Sequence, residues 1–141
     1  MILANSQKNA QVLAMAVDIE TGVANPKLSF YNGAIPATID AVLVAGNKLL
    51  IEFDLGANAF EDSARVGQDG KLYLNSVPDV NGLVAAGTGT APTFGIMKDG
   101  NGNRKQIWTA GVIGAGTEFE FDSTIVQSKA KSLGSVYIQA P

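Results

Sequence analysis

Glu118, Glu120 and Asp122 occupy alternating positions and form the most suggestive acidic set in the chain. On a strand, same-face neighbours stand about 6.5 to 7 Å apart, which suits a shared cation or the acid/base pair of a glycosidase. Phe119 and Phe121 fall between them, and that alternation equally describes a half-buried strand turning its acids to water. The exposed-face reading is preferred. Asp99, Asn101 and Asn103 have the spacing of the first half of a calcium loop. Arg104 stands where that loop needs glycine and Ala110 where it needs a bidentate glutamate, so a solvated hairpin loop is expected instead. Gly111, Gly114 and Gly116 run Gly-x-x-Gly-x-Gly, not the dinucleotide order Gly-x-Gly-x-x-Gly, and an alternating strand follows where a helix is required. Gly87-Thr-Gly-Thr90 lacks the lysine of a phosphate loop. Both glycine runs read as turns. Lys129 and Lys131 read as surface charges, and Trp108 and Tyr31 as core or interface aromatics.

Residues that are missing narrow the chemistry further. The chain contains neither histidine nor cysteine, which removes disulfides, zinc-thiolate sites, cysteine nucleophiles and histidine-based triads. No catalytic residue, cofactor or metal is expected. Ten basic residues against 13 acidic ones give a net charge of −3, which argues against a nucleic-acid partner. No apolar run approaches the length of a membrane span, and the opening Met-Ile-Leu-Ala-Asn-Ser has no basic region or long apolar stretch of a targeting signal, so no membrane partner is expected.

The elements that position these residues follow from periodicity. Ala10, Leu13, Ala14 and Val17 repeat at helical spacing within a helix expected over residues 6–21, capped by Asn5 or Ser6 and ended by Gly22. From Lys27 the period becomes two. Leu28 and Phe30 alternate with Ser29 and Tyr31 ahead of an Asn32-Gly33 turn. Leu49, Ile51, Phe53 and Leu55 share one face, with Leu50, Glu52 and Asp54 on the other. Asp69-Gly70 precedes a strand with Leu72 and Leu74 inward, and strands flank Asp99–Asn103. Val136 and Ile138 alternate with Tyr137 and Gln139 at the end. Val, Ile and Thr number 30 in a chain with 46% hydrophobic and 16% charged residues, a balance that favours sheet. The expected fold is all-β, a mainly antiparallel sandwich or barrel of jelly-roll type with one short N-terminal helix. Residues 1–26 form an arm or helix, and residues 27–141 a single β-sandwich domain.

Several segments carry a resemblance. Pro26-Lys-Leu-Ser-Phe-Tyr-Asn-Gly-Ala-Ile-Pro-Ala-Thr38 is followed by Gly46-Asn-Lys-Leu-Leu-Ile-Glu-Phe53 and Ala57-Asn-Ala-Phe60. Farther on come Ala85-Ala-Gly-Thr-Gly-Thr90 and Phe94-Gly-Ile-Met-Lys-Asp-Gly100. Their order resembles small virion structural proteins of tailed bacteriophages, of the capsid decoration (cement) kind, over residues 5–139. Asn58 replaces that pattern's proline, and Gly95 stands where an aromatic-arginine pair is usual. The resemblance implies a protein on the capsid surface of a virion, made in the host cytoplasm. It implies the major capsid protein as partner, a homo-oligomer with a trimer favoured, and no catalytic residues. Ile2, Leu3, Leu13 and Val17 are the expected contacts to the shell or to a neighbouring subunit. Removing residues 1–21 is then expected to leave a folded domain that no longer binds. A tail or head-fibre component and a carbohydrate-binding β-sandwich module are the alternatives; a glycosidase using Glu118 or Glu120 is the weakest reading.

Overall fold

A computed structural model describes residues 2–61 and 70–140. Helix α1 (Asn5–Glu20) precedes nine strands among the described residues: β1 (Lys27–Tyr31), β2 (Leu49–Asp54), β3 (Lys71–Tyr73), β4 (Val80–Asn81), β5 (Phe94–Lys98), β6 (Arg104–Val112), β7 (Phe119–Phe121), β8 (Ala130–Lys131) and β9 (Tyr137–Gln139). The fold is mostly β, as its alternating patterns require. A curled five-stranded sheet in the order β2-β1-β5-β6-β7 makes half a barrel, accompanied by the antiparallel pairs β3-β9 and β4-β8. Only the β6-β7 pairing is parallel within these ladders.

The two faces of the curled sheet bury different things. On one face Leu28, Phe30, Ile51, Phe53 and Met97 join Leu72 and Ile138 of the β3-β9 ribbon in the main core. Phe30 sits at its centre, with ring centroids 4.9 Å from Phe119, 4.8 Å from Phe121 and 6.2 Å from Phe53. Edge-on and tilted rings at these separations add to the burial of the aromatic surface itself. Gly95 lies opposite Phe30 in the ladder, and a Cβ there would stand 2.8 Å from the Phe30 ring, so glycine makes room for the aromatic. On the other face Tyr31 stacks on Phe94 at 5.3 Å, and Ile96, Leu43, Leu49 and Ile107 complete a smaller cluster.

Helix α1 belongs to the main core. Val12, Ala16 and Ile19 are buried there, and Asn9 and Glu20 tie the helix down by accepting the N–H groups of Gly70 and Phe60. The apolar face therefore differs from the expected stripe: Ala10, Ala14 and Val17 are exposed, and Leu13 is half-buried at the margin of the core. Val12, Ala16 and Ile19 form their own helical stripe at i, i+4 and i+7, and Val12 and Ile19 are worth about 1.5 to 3 kcal/mol each when fully buried. Removal of residues 1–21 would thus open the core. The N-cap position falls on Ala4 and not on Asn5 or Ser6, and Ala4 offers no side-chain cap.

Two other local expectations change. Leu50 is fully buried and not on an outward face. Phe30 pairs with Ile51 and Tyr31 with Leu49, which leaves Leu50 in a bulge; its carbonyl accepts the N–H of Leu83. Asn32-Gly33 does not make a tight hairpin either, since β1 and β2 are joined by residues 32–48. Asn32 closes the neck of that loop by accepting the Lys48 N–H through Oδ1 at 2.9 Å. Asp69 lies outside the described residues.

Candidate functional site

The three alternating carboxylates are exposed, and each is engaged in holding the local structure. Glu118 Oε1 accepts the backbone N–H of Thr109 at 3.2 Å, Glu120 accepts that of Gly116 at 2.7 Å, and Asp122 accepts from Lys131 Nζ at 2.6 Å. The lysine's hydrogen bond and charge hold Asp122 below its ordinary value. Lys131 is a correction to the sequence reading: it is buried, and Asp122 and Ser123 satisfy its ammonium. Among the described residues no group of three or more acidic side chains converges as a metal-ligand set.

The Asp99–Asn103 segment is the connection between β5 and β6, as its spacing suggests, but it is not wholly solvated. Asp99 is 5% exposed and accepts the backbone N–H groups of Asn101 and Asn103, both at 2.9 Å. Lys105 stands 3.7 Å from it and 3.0 Å from Asp18 of the helix. Burial pushes the Asp99 carboxyl up, but the Asn103 and Asn101 donors and the Lys105 ammonium outweigh it and leave Asp99 below its ordinary value. The Asp18 hydrogen bond in turn raises Lys105 against the cost of its own desolvation. Gly100 donates to the Thr21 carbonyl and accepts from Ala24, which seats the loop against the end of the helix. Arg104, which spoils a calcium loop, instead clasps loop 32–48 to the sheet, its guanidinium donating to the carbonyls of Ile39 and Ala41.

That clasped loop presents apolar side chains to solvent. Val42 is 87%, Val44 59% and Ile35 47% exposed. Asn47 braces the loop by donating to the carbonyls of Asn32 and Ala34 and accepting the Val44 N–H. Of the expected contact residues, Ile2 and Val17 are exposed, whereas Leu3 and Leu13 are half-buried. Exposed branched aliphatics held on a braced loop cost solvation unless a partner covers them.

A groove of about 900 Å3 lies between β6 and β9, with Met15 of the helix, Trp108 and Ile138 contributing apolar walls. Trp108 donates its indole N–H to Gln106 at 2.8 Å. Tyr137 on the rim lies 5.2 Å from Tyr73, with Lys71 over its ring. Backbone geometry makes this groove unusual. The bond from Leu74 N–H to the Val136 carbonyl and that from Ala140 N–H to the Gly70 carbonyl fix the β3-β9 ladder phase. In that phase Ile138 bonds to β3, while the N–H and C=O groups of Tyr137 and Gln139 point away from it. The Ala110 N–H to Thr93 carbonyl bond fixes β5-β6 likewise and turns the Ile107 groups outward. One residue pair along, Glu118 caps the outward N–H of Thr109, and beyond it β7 covers the same edge. Thus two strand edges border the groove.

No family model, curated protein or solved structure matches the chain. No described helix is long and apolar enough to cross a membrane.

Side-chain patterns do not mark the groove. Ser135–Gln139 is legible as a strand from its alternation, but alternation reports faces and not edges. In the structure β6 spans nine residues and β7 three, so among the described residues most of one edge of β6 has no strand beside it.

Proposed function

We propose that this chain is a structural component of a bacteriophage virion, a capsid decoration protein that binds and stabilises the shell formed by the major capsid protein. It has no catalytic role in this reading. The observation that carries the proposal is the braced loop 32–48 with Ile35, Val42 and Val44 turned to solvent. A shell-binding protein needs such a preorganised apolar contact, because ordering a loose loop on binding would consume part of the affinity. Carboxylates that a hydrolase would keep free serve turns and strand ends here. The order of segments from Pro26 to Gly100 supports the same role through its resemblance to phage decoration proteins.

Quantitative mass spectrometry of purified particles tests the reading. A copy number similar to that of the major coat protein is expected. A number far below it reassigns the chain to a tail or head fibre, and absence from the particle overturns the proposal. Exposed Tyr137 and half-buried Trp108 beside the groove favour a second reading, a carbohydrate-binding module, because aromatic rings that reach a groove can stack on sugars.

A further inference from the structure

We infer that the groove between β6 and β9 is an acceptor site for an extended strand, and that its occupant is the N-terminal segment Ile2–Ala4 of a second copy of this chain. Ile107 on one wall and Tyr137 and Gln139 on the other direct backbone N–H and C=O groups away from their own ladders, with no partner among the described residues. Those on β9 recur every second residue, the repeat at which an extended chain presents its own donors and acceptors. A sugar offers no such repeat, so the geometry favours polypeptide. Open edges of this kind are templates for strand addition, and folded proteins ordinarily pair, cover or blunt them. Glu118 blunts only the Thr109 position.

Chemistry and position both single out the donor. Ile2-Leu3-Ala4 carries no charge and no proline, matching a groove walled by Met15, Trp108 and Ile138. It precedes the helix, its last residue has extended dihedrals of −63° and 150°, and Ile2 is 97% exposed while Leu3 is half-buried, so its own chain covers the segment only in part. Helix α1 leaves this segment beside one end of the groove: Asn9 bonds to Gly70, and Gly70 bonds to Ala140, which lines the groove. A donor emerging next to an acceptor lets two copies exchange segments across a closed symmetric contact, in which every groove is filled and no chain of open sites propagates.

The absence of cysteine makes the test clean. One sample carries Leu3→Cys and a second, of different mass through isotope labelling, carries Gln139→Cys; the two are mixed and oxidised. A mixed-mass disulfide dimer is expected. Leu3→Pro and Gln139→Pro remove an N–H from donor and acceptor, and each alone is expected to weaken self-association about tenfold or more, as measured by light scattering. Mixing the two proline variants is expected to restore a pair, since one keeps its donor and the other its groove, a result that misfolding cannot produce. A wild-type chain that stays monomeric at all concentrations overturns the inference. So does an assembly that neither forms the mixed disulfide nor responds to both prolines. Glycan binding in the groove that is lost with Trp108→Ala, without self-association, overturns it in favour of a sugar site.

Discussion

Two stretches of β6, a few residues apart, are finished in opposite ways. At its start, the Asp99–Asn103 connection satisfies its polar groups internally: one carboxylate takes two backbone donors, a lysine bridges it to the helix, and Gly100 bonds to the chain leaving that helix. Farther along, at Ile107, the strand borders a groove across from β9 with its outward backbone groups unmet among the described residues. Buried or half-buried amide groups carry a cost when unpaired. The contrast teaches that this fold completes its own turns and leaves one edge for something else to complete.

The largest expected effect concerns the core beneath the sheet. Phe30→Ala removes the ring that touches Phe53, Phe119 and Phe121, and about 3 to 5 kcal/mol of stability should be lost in denaturant unfolding. A loss below about 1 kcal/mol would mean that the aromatic cluster does not organise the sheet.

A smaller effect separates the closed turn from the open edge. Asp99→Asn weakens a buried acceptor of two N–H groups and removes the second of two carboxylates beside Lys105, for a loss of about 1 to 3 kcal/mol. The same kind of neutral change at exposed Gln139, to Ala, should move the unfolding free energy of the dilute protein by less than about 0.5 kcal/mol. Acid sharpens the difference. Because Asp99 is held below its ordinary value, its stabilisation is complete above the unfolded pKa of about 3.9 and disappears as pH falls through the folded value. Lys105 is raised, so its share is complete below about pH 10.4 and disappears as pH climbs through its folded value. Asp99→Asn should therefore flatten the acid limb of a stability profile, while Gln139→Ala leaves both limbs in place. Equal acid limbs in the two variants would remove Asp99 as the anchor of the turn.

Much of this architecture is legible in the residues. Alternation marks Leu28 and Phe30, Leu72 and Leu74, and Phe119 and Phe121 as inward pairs, and Asp99-Gly100 marks the connection between β5 and β6. Patterns fail where a tertiary neighbour decides. Leu50 turns inward because a bulge shifts it, and the helix carries two apolar stripes of similar size, of which its packing against the sheet buries Val12, Ala16 and Ile19. Lys131 is buried because Asp122 arrives from another strand end. The candidate site is the least legible part. Ile2 is identifiable as an apolar residue near the chain start and is exposed, but an open edge depends on which strands fail to lie side by side, and no residue type encodes that.

Amide hydrogen exchange at β9, followed residue by residue over a range of protein concentrations, tests the open-edge account most directly. Ile138, bonded to β3 within the chain, should exchange slowly throughout. Tyr137 and Gln139 should exchange fast in dilute solution and become protected as concentration rises, with Leu3→Pro abolishing that gain. Protection of Tyr137 and Gln139 that is already full in the dilute chain, or fast exchange at every concentration, would contradict it.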